Sequence, residues 1–273
     1  MEKVLILGAS GLVGRALINE FKDGFDLYGT YSSTLANLPE EKRFQLNLLQ
    51  IEKLKDKIRS IQPDIVISCL RGEYDQQLEF HKVLATELRN TSSRLYYFST
   101  TNVFDGDHSK PHTETDNTKS ISDYGKFKIE CEKMLNEILE ERTIIIRIPA
   151  IWGKSSPRWN LMKESIKENK AIEVFSNLVC NNLLDIHLAK QLRYIIENNQ
   201  KGLFHLGSID LMTQGQFFEK IMTGLAHNDT LLQYRLFLEK DDTCYFALKS
   251  NRLDIPSSLQ YTNNDIISFL IKE

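Results

Sequence analysis

An α/β protein built on a doubly wound, mostly parallel sheet with a smaller C-terminal lobe is the fold class that this sequence predicts. Three observations predict it. Apolar runs of strand length alternate with stretches of helical periodicity through the first half of the chain. The earliest run, KVLIL, ends in a glycine-spaced turn, Gly8, Gly11 and Gly14, which leads straight into a helix pattern. Beyond Gly153 the alternation changes its rhythm, so the expected division falls between residues 1–153 and 154–273, with late segments returning to the first part.

Taken in order, KVLILG reads as a buried strand and LVGRALINEF as a helix, with Leu12, Ala16, Leu17 and Phe21 at helical spacing. FDLYGTY and RFQLNLL follow as strands, IEKLKDKIRSI as an amphipathic helix, and DIVISCL as a continuous apolar strand bounded by Pro63 and Gly72. The helix QQLEFHKVLATELRN and the strand RLYYFST come next. Such alternation implies right-handed crossovers and helices on both faces of the sheet. The polar stretch from Thr101 to Ser122 is too long for an ordinary connector and is expected to be functional or partly mobile. A helix over 122–140 and one strand, TIIIRIPAI, close the first part. The second lobe reads as WNLMKESIKEN, AIEVF, the helix IHLAKQLRYIIEN, the strand GLFHLG, the helix TQGQFFEKIMTGL and the terminal NDIISFLIKE.

With 41% hydrophobic and 26% charged side chains over 273 residues, the chain can bury one large core and a lobe. A net charge of -3 from 34 basic and 37 acidic residues provides no field for nucleic acid or anionic lipid. No apolar run reaches the length of a membrane span, so the expected partner is a small molecule, not a nucleic acid or a membrane. Cys69, Cys131, Cys180 and Cys244 form no C-x-x-C pair, and MEKVLILGAS enters the glycine turn instead of continuing as a signal-peptide core. Both features point to a reducing, cytoplasmic setting. His187 and His205 lie in apolar contexts and read as core residues, and no cluster has metal-ligand spacing, so no metal is expected.

In its strand–turn–helix setting, Gly8 permits the tight turn, Gly11 removes a Cβ where a pyrophosphate must approach, and Gly14 lets helix and strand pack closely. Residues 1–153 are therefore expected to form a Rossmann-type dinucleotide-binding domain, with Ser10, Leu12 and Val13 completing the cofactor turn. At the end of the second strand Thr30, Tyr31, Ser32 and Ser33 are neutral. Nothing there repels a 2′-phosphate and no acid is present to hold ribose hydroxyls, so NADP is expected in preference to NAD. Further along, Tyr124 and Lys128 stand four apart on a predicted helix and share one face. A nearby ammonium that favours the phenolate would let such a tyrosine exchange a proton with a carbonyl oxygen near neutral pH.

These blocks, together with FSTTNVFDG before them, resemble the extended short-chain dehydrogenase/reductases, and within them the dTDP-4-dehydrorhamnose reductase branch. That branch carries S-T-D-Y-V-F-D-G, P-x-x-E, Y-G-x-x-K and R-x-P or R-T-S before a Y-G pair. Here the matching residues are Ser99 to Gly106, Pro111 and Glu114, Tyr124, Gly125 and Lys128, and RIPAIWG from Arg147, within a resemblance spanning roughly residues 3–210. The resemblance implies that Thr100 bonds the substrate carbonyl, that Tyr124 donates the proton, and that Lys128 supports Tyr124 and the nicotinamide ribose. It further implies cofactor contacts from Asn47, Leu48, Cys69, Leu70, Arg71, Ser99 and Ile148. The substrate contacts implied are Thr101, Asn102, Val103, Trp152, Arg158, Trp159 and Asn160. Of these, Arg158 could pair with a diphosphate and Trp159 could stack on a base or sugar. The implied activity is hydride transfer to the 4-keto group of a nucleotide-linked deoxysugar, and a homodimer is compatible with it.

The pattern breaks in places. Thr101 and Asn102 replace an Asp and a Tyr that line the family's sugar site, Gln77 falls where the family has an Asn that supports proton relay, and Ala150 and Trp152 replace a Trp and a Tyr. The RIP…G wording is similar to the regulatory β subunit of methionine adenosyltransferase, which leaves a non-catalytic NADP-binding regulatory subunit as one alternative. A nucleotide-sugar epimerase or dehydratase of the same superfamily is the other, although Thr101 and Asn102 cannot serve as a dehydratase's acid and base.

Overall fold

The alternation read from the sequence becomes a parallel sheet with helices on both faces in the computed structural model, which describes residues 1–227, 229–239 and 241–272. In chain order, the first part holds β1 (Lys3–Leu7), α1 (Leu12–Phe21), β2 (Asp26–Tyr31), β3 (Arg43–Gln45), α2 (Ile51–Ile61), β4 (Ile65–Ser68), α3 (Tyr74–Leu88), β5 (Arg94–Thr100), α4 (Asp123–Leu139) and β6 (Thr143–Ile148). The remainder holds β7 (Ala150–Trp152), α5 (Pro157–Lys167), β8 (Ile172–Phe175), β9 (Leu178–Cys180), β10 (Asn182–Leu184), α6 (Asp185–Glu197), β11 (Gly202–His205), β12 (Met212–Thr213), α7 (Gln214–Gly224), β13 (Leu232–Arg235), β14 (Cys244–Phe246) and α8 (Asn263–Ile271).

Among the described residues a seven-stranded sheet runs β3-β2-β1-β4-β5-β6-β11. The order reverses at β1, so the crevice between the carboxyl ends of β1 and β4 is the switch point at which such sheets bind ligands. β1 shows why its sequence is apolar at every position. Val4 and Ile6 enter the core shared with α1 and α6, whereas Leu5 and Leu7 enter the core shared with α2, α3 and α4. A late strand, β11, extends the sheet beside β6, and α6 packs against α1.

Two predicted strands change shape. RFQLNLL pairs through Gln45, adds one bond from the Leu46 amide to the Tyr31 carbonyl, and then turns. TIIIRIPAI is two strands, because Pro149 has no N–H for the ladder: β6 stays in the main sheet and β7 pairs with β10. The second lobe has its own core, in which Trp152, Trp159, Met162, Phe217, Ile221 and Ile266 meet. The polar stretch 101–122 is tied down: Glu114 accepts bonds from the His205 amide (3.0 Å), Ser250 Oγ (2.6 Å) and the Asn251 amide (2.8 Å).

Candidate active site

The glycine turn connects β1 to α1 across the switch point. Gly8 has φ +80°, a left-handed conformation that glycine adopts without steric cost, and a Cβ there would lie 2.9 Å from the Cys69 carbonyl oxygen. Gly14 is buried, and a Cβ on it would lie 2.5 Å from the Gly8 oxygen and 2.6 Å from the Ala9 Cα. Only a residue without a side chain lets α1 come this close to the turn. Gly11 is the N-cap of α1, is exposed, contributes no capping side chain, and no acid stands in the first turn. The first amides of α1 are thus left for an outside acceptor, which is the donor set that a pyrophosphate requires. Ser10 and Arg15 brace the turn: Arg15 donates to the Ser10 carbonyl (2.7 Å) and to Ser155 Oγ in the second lobe (3.1 Å).

Some expected cofactor residues do other work. Thr30 is buried, and its hydroxyl accepts the Gly8 amide (3.0 Å) while its carbonyl accepts the Ala9 amide (2.7 Å). It shapes the turn from beneath instead of facing a ribose. The Asn47 carboxamide caps its own turn at the Leu49 amide (3.0 Å). Val13, Tyr31, Cys69 and Ile148 pack partly buried on the α1 side of the sheet, and Leu48 and Leu70 on the other side. Ser32 is exposed at the end of β2, with its carbonyl held by Gln45 Nε2 (2.9 Å). Ser99 Oγ is buried with no partner in the protein. A buried hydroxyl left unmatched beside this crevice fits a site that a polar ligand completes.

Thr100 ends β5, and Tyr124 and Lys128 lie in the first turns of α4. The helix is brought against the 101–104 turn by Gly125, where a Cβ would stand 2.2 Å from the Asn102 carbonyl oxygen and from Ser120 Oγ. The sequence pattern contained this glycine, but only the packing reveals its steric reason. Ser122 caps the helix at the Gly125 amide (3.1 Å) and is clamped in turn by Asp105, which also accepts from Ser120 Oγ and the Ile121 amide (2.7 Å each). Burial pushes the Asp105 carboxyl up, but these donors outweigh it and hold the pKa below the usual value. Deeper along α4, Glu132 receives a buried two-pronged bond from Arg147 of β6 (3.0 and 2.6 Å), which locks the helix to the sheet.

In this frame the Tyr124 phenol has the Thr100 side chain as a polar neighbour. Burial raises the phenol's pKa, while the neighbouring Thr100 side chain and the positive charge of Arg71 act against that rise. Lys128, one turn further along α4, directs its hydrogen bond to the sheet. Its ammonium is buried, donates to the Phe98 carbonyl (2.8 Å) and lies 4.5 Å from the Tyr97 ring centroid. That burial pulls its pKa down to about 8. Tyr74 stacks on Phe127 (5.0 Å) and leans on Tyr124 (5.8 Å), which places the Arg71 segment over the start of α4. The Gln77 side chain donates to the Gly72 carbonyl (2.7 Å).

Beside the 101–104 turn opens a cavity of about 470 Å³. Thr101, Asn102, Trp152 and Arg158 line it, and aromatic residues from distant segments, notably Phe217, Phe218, Phe237 and Phe246, complete its wall. No local sequence signal marks those four, because the segments meet only on folding. Trp152 is anchored by its indole N–H to Asn182 Oδ1 (2.8 Å). Two expected substrate residues belong to the interior instead. Trp159 is 3% exposed in the second-lobe core, because its position on the apolar face of α5 turns it inward, and Val103 is fully buried against Phe104 and Leu248. Asn160 is exposed on α5, outside the cavity wall. Arg158 is solvent-exposed, its guanidinium lies over the Trp152 ring (5.6 Å), and no acid or carbonyl is bonded to it among the described residues. An exposed guanidinium beside an aromatic cavity is available to pair with an anionic group of a ligand.

Comparisons with known proteins agree with this architecture. By sequence the chain is 26% identical over 242 residues to methionine adenosyltransferase 2 subunit beta of Danio rerio, covering 78% of this chain and 70% of that protein. The match to the rat protein of the same name spans 48% of its length. It is also 21% identical to the Haloferax volcanii protein named "Probable low-salt glycan biosynthesis reductase Agl14", over 86% of this chain and 84% of that one. By structure it matches a dTDP-4-dehydrorhamnose reductase of Clostridium acetobutylicum with a TM-score of 0.83 at 20% identity, covering 98% of both chains. A dTDP-4-dehydrorhamnose reductase of Bacillus anthracis in complex with NADP matches at 0.80 and 21% identity, over 100% of this chain and 99% of the other. Residues 1–234 match the family model of the RmlD substrate binding domain, and the chain therefore belongs to that family.

Proposed function

We propose that this protein is a nicotinamide-dependent reductase that uses NADPH in preference to NADH and acts on the keto group of a nucleotide-linked sugar. The observation that carries the reading is the placing of three features on one side of the sheet: the uncapped glycine turn after β1, Thr100 at the end of β5 with Tyr124 as its neighbour, and a cavity beside the 101–104 turn that Arg158 lines. The fold shared with reductases of dTDP-4-dehydrorhamnose supports it, as does the similarity to a glycan biosynthesis reductase. The absence of an acid at Ser32 and Ser33 supports the preference for NADPH.

The bound dinucleotide supplies the hydride. The α1 amides would hold its pyrophosphate, and Ser99 and Lys128 would hold its nicotinamide end. Thr100 donates a hydrogen bond to the substrate's carbonyl oxygen, which orients the carbonyl and favours negative charge on it. Tyr124 gives its phenolic proton to the same oxygen, and the charge of Arg71 eases that loss. Arg158 pairs with phosphate oxygens of the substrate while the aromatic wall keeps water away.

Titration of the purified chain with NADPH and NADH by fluorescence, followed by turnover of dTDP-4-dehydrorhamnose, tests the reading. Tyr124→Phe is expected to lower turnover by about 10²–10⁴-fold with NADPH affinity unchanged. No binding of either dinucleotide at millimolar concentration refutes the proposal. A chain that binds NADPH, reduces no keto-sugar nucleotide and co-purifies with a fixed partner belongs instead to the regulatory class.

A further inference from the structure

Asn102 stands where the reductase pattern has a tyrosine, and its contacts are with the catalytic hydroxyl itself. Thr100 Oγ1 donates to Asn102 Oδ1 (3.0 Å) and accepts the Asn102 amide N–H (3.2 Å). Asn102 also lines the cavity, so one carboxamide faces both the Thr100 hydroxyl and the space a substrate would fill. Its backbone cannot drift, because its carbonyl is pressed against Gly125.

A hydroxyl has a single proton to donate. When Thr100 turns that proton towards an incoming carbonyl oxygen, Asn102 Oδ1 loses its donor in a partly buried place. A polar acceptor stranded in this way is costly, so a substrate that brings its own donor to Oδ1 is favoured over one that does not. The two protein oxygens lie 3.0 Å apart, a spacing close to that of oxygens on adjacent carbons of a ring. We infer that Asn102 is a specificity-determining residue that selects α-hydroxy ketones, by accepting a hydrogen bond from the hydroxyl on the carbon next to the carbonyl that Thr100 binds. The inference rests on the reductase reading and adds to it the residue that recognises the second oxygen.

The test offers the full chain, saturated with NADPH, two probes that differ by one oxygen: dTDP-4-dehydrorhamnose and its 3-deoxy counterpart. The native chain is expected to prefer the hydroxylated probe in kcat/KM by at least about tenfold. Asn102→Ala is expected to bring that ratio close to one, Asn102→Leu to do the same at nearly unchanged side-chain volume, and Asn102→Asp, which keeps an acceptor oxygen, to restore it. A residue that merely shapes the turn would slow both probes alike and leave the ratio intact, and that result overturns the assignment while leaving the reductase reading in place. Absence of turnover with either probe in a chain that binds NADPH overturns both.

Discussion

Replacing Gly14 by alanine sets two known effects against each other. Alanine in a helix interior is about 1 kcal/mol more favourable than glycine, so propensity alone predicts a more stable protein. The added Cβ, however, would lie 2.5 Å from the Gly8 oxygen, 2.6 Å from the Ala9 Cα and 2.7 Å from the Ala9 carbonyl carbon, all of them backbone atoms that cannot rotate aside. Overpacking of this kind costs about 1–3 kcal/mol, and a three-atom clash with fixed backbone belongs at or above the upper end. The expected net effect is a loss of about 2 kcal/mol, or about 4–8 °C in Tm for a chain of this size. Because relief requires α1 to back away from the turn, NADPH affinity is expected to fall by at least about tenfold as well. Gly11→Ala is the matched control: its Cβ would meet only the Gly8 oxygen at 3.3 Å, at an exposed position. It should change stability by less than about 0.5 kcal/mol while still weakening NADPH binding. Thermal melting and fluorescence titration read both quantities. A Gly14→Ala protein that melts at or above the native temperature would show that close approach of α1 is not what requires the glycine.

Glu132→Gln leaves the Arg147 cation buried without its counter-charge and is expected to destabilise the fold by about 3–5 kcal/mol in urea unfolding, whereas a loss below about 1 kcal/mol would mean the pair does not lock α4. For Lys128, the folded pKa of about 8 lies below the unfolded value, so between these two pH values the unfolded chain binds more protons and stability rises with pH. Relative to Lys128→Met, the native chain should therefore gain about 3 kcal/mol between pH 8 and about 10.4, and lose it again as pH falls; a flat difference would place the ammonium in contact with solvent. Ser32→Arg should raise the ratio of NADPH to NADH affinity by about tenfold, and no shift in that ratio would place the adenosine ribose elsewhere.

Much of the fold was legible because its signals are local. The helix IEKLKDKIRSI begins and ends where its apolar stripe does, and LVGRALINEF starts directly after its N-cap, Gly11. Pro149 carried a readable warning that TIIIRIPAI could not be one strand, since it removes a ladder donor at that point. The candidate site was legible in part. The glycines and Tyr124 were singled out by spacing and Thr100 by the family resemblance, but neither could say that Lys128 turns to the Phe98 carbonyl or that Thr30 supports the turn from below. Trp159 was misread for a related reason: a tryptophan beside an arginine looks like a ligand platform until the helix is built and its apolar face points inward.

The sequence by itself determined the parallel α/β class and the glycine turn that opens it, because each follows from residues close together along the chain. Only the tertiary structure decided which atoms meet across the chain. The carboxamide of Asn102 on the Thr100 hydroxyl, the charge of Arg71 above Tyr124, and the cavity joining Trp152 to Phe217 and Phe237 depend on β7 leaving the main sheet and on the second lobe folding over it. Hydrogen bonds and steric contacts act over a few ångströms, and separation along the chain does not reveal which side chains will come within that range.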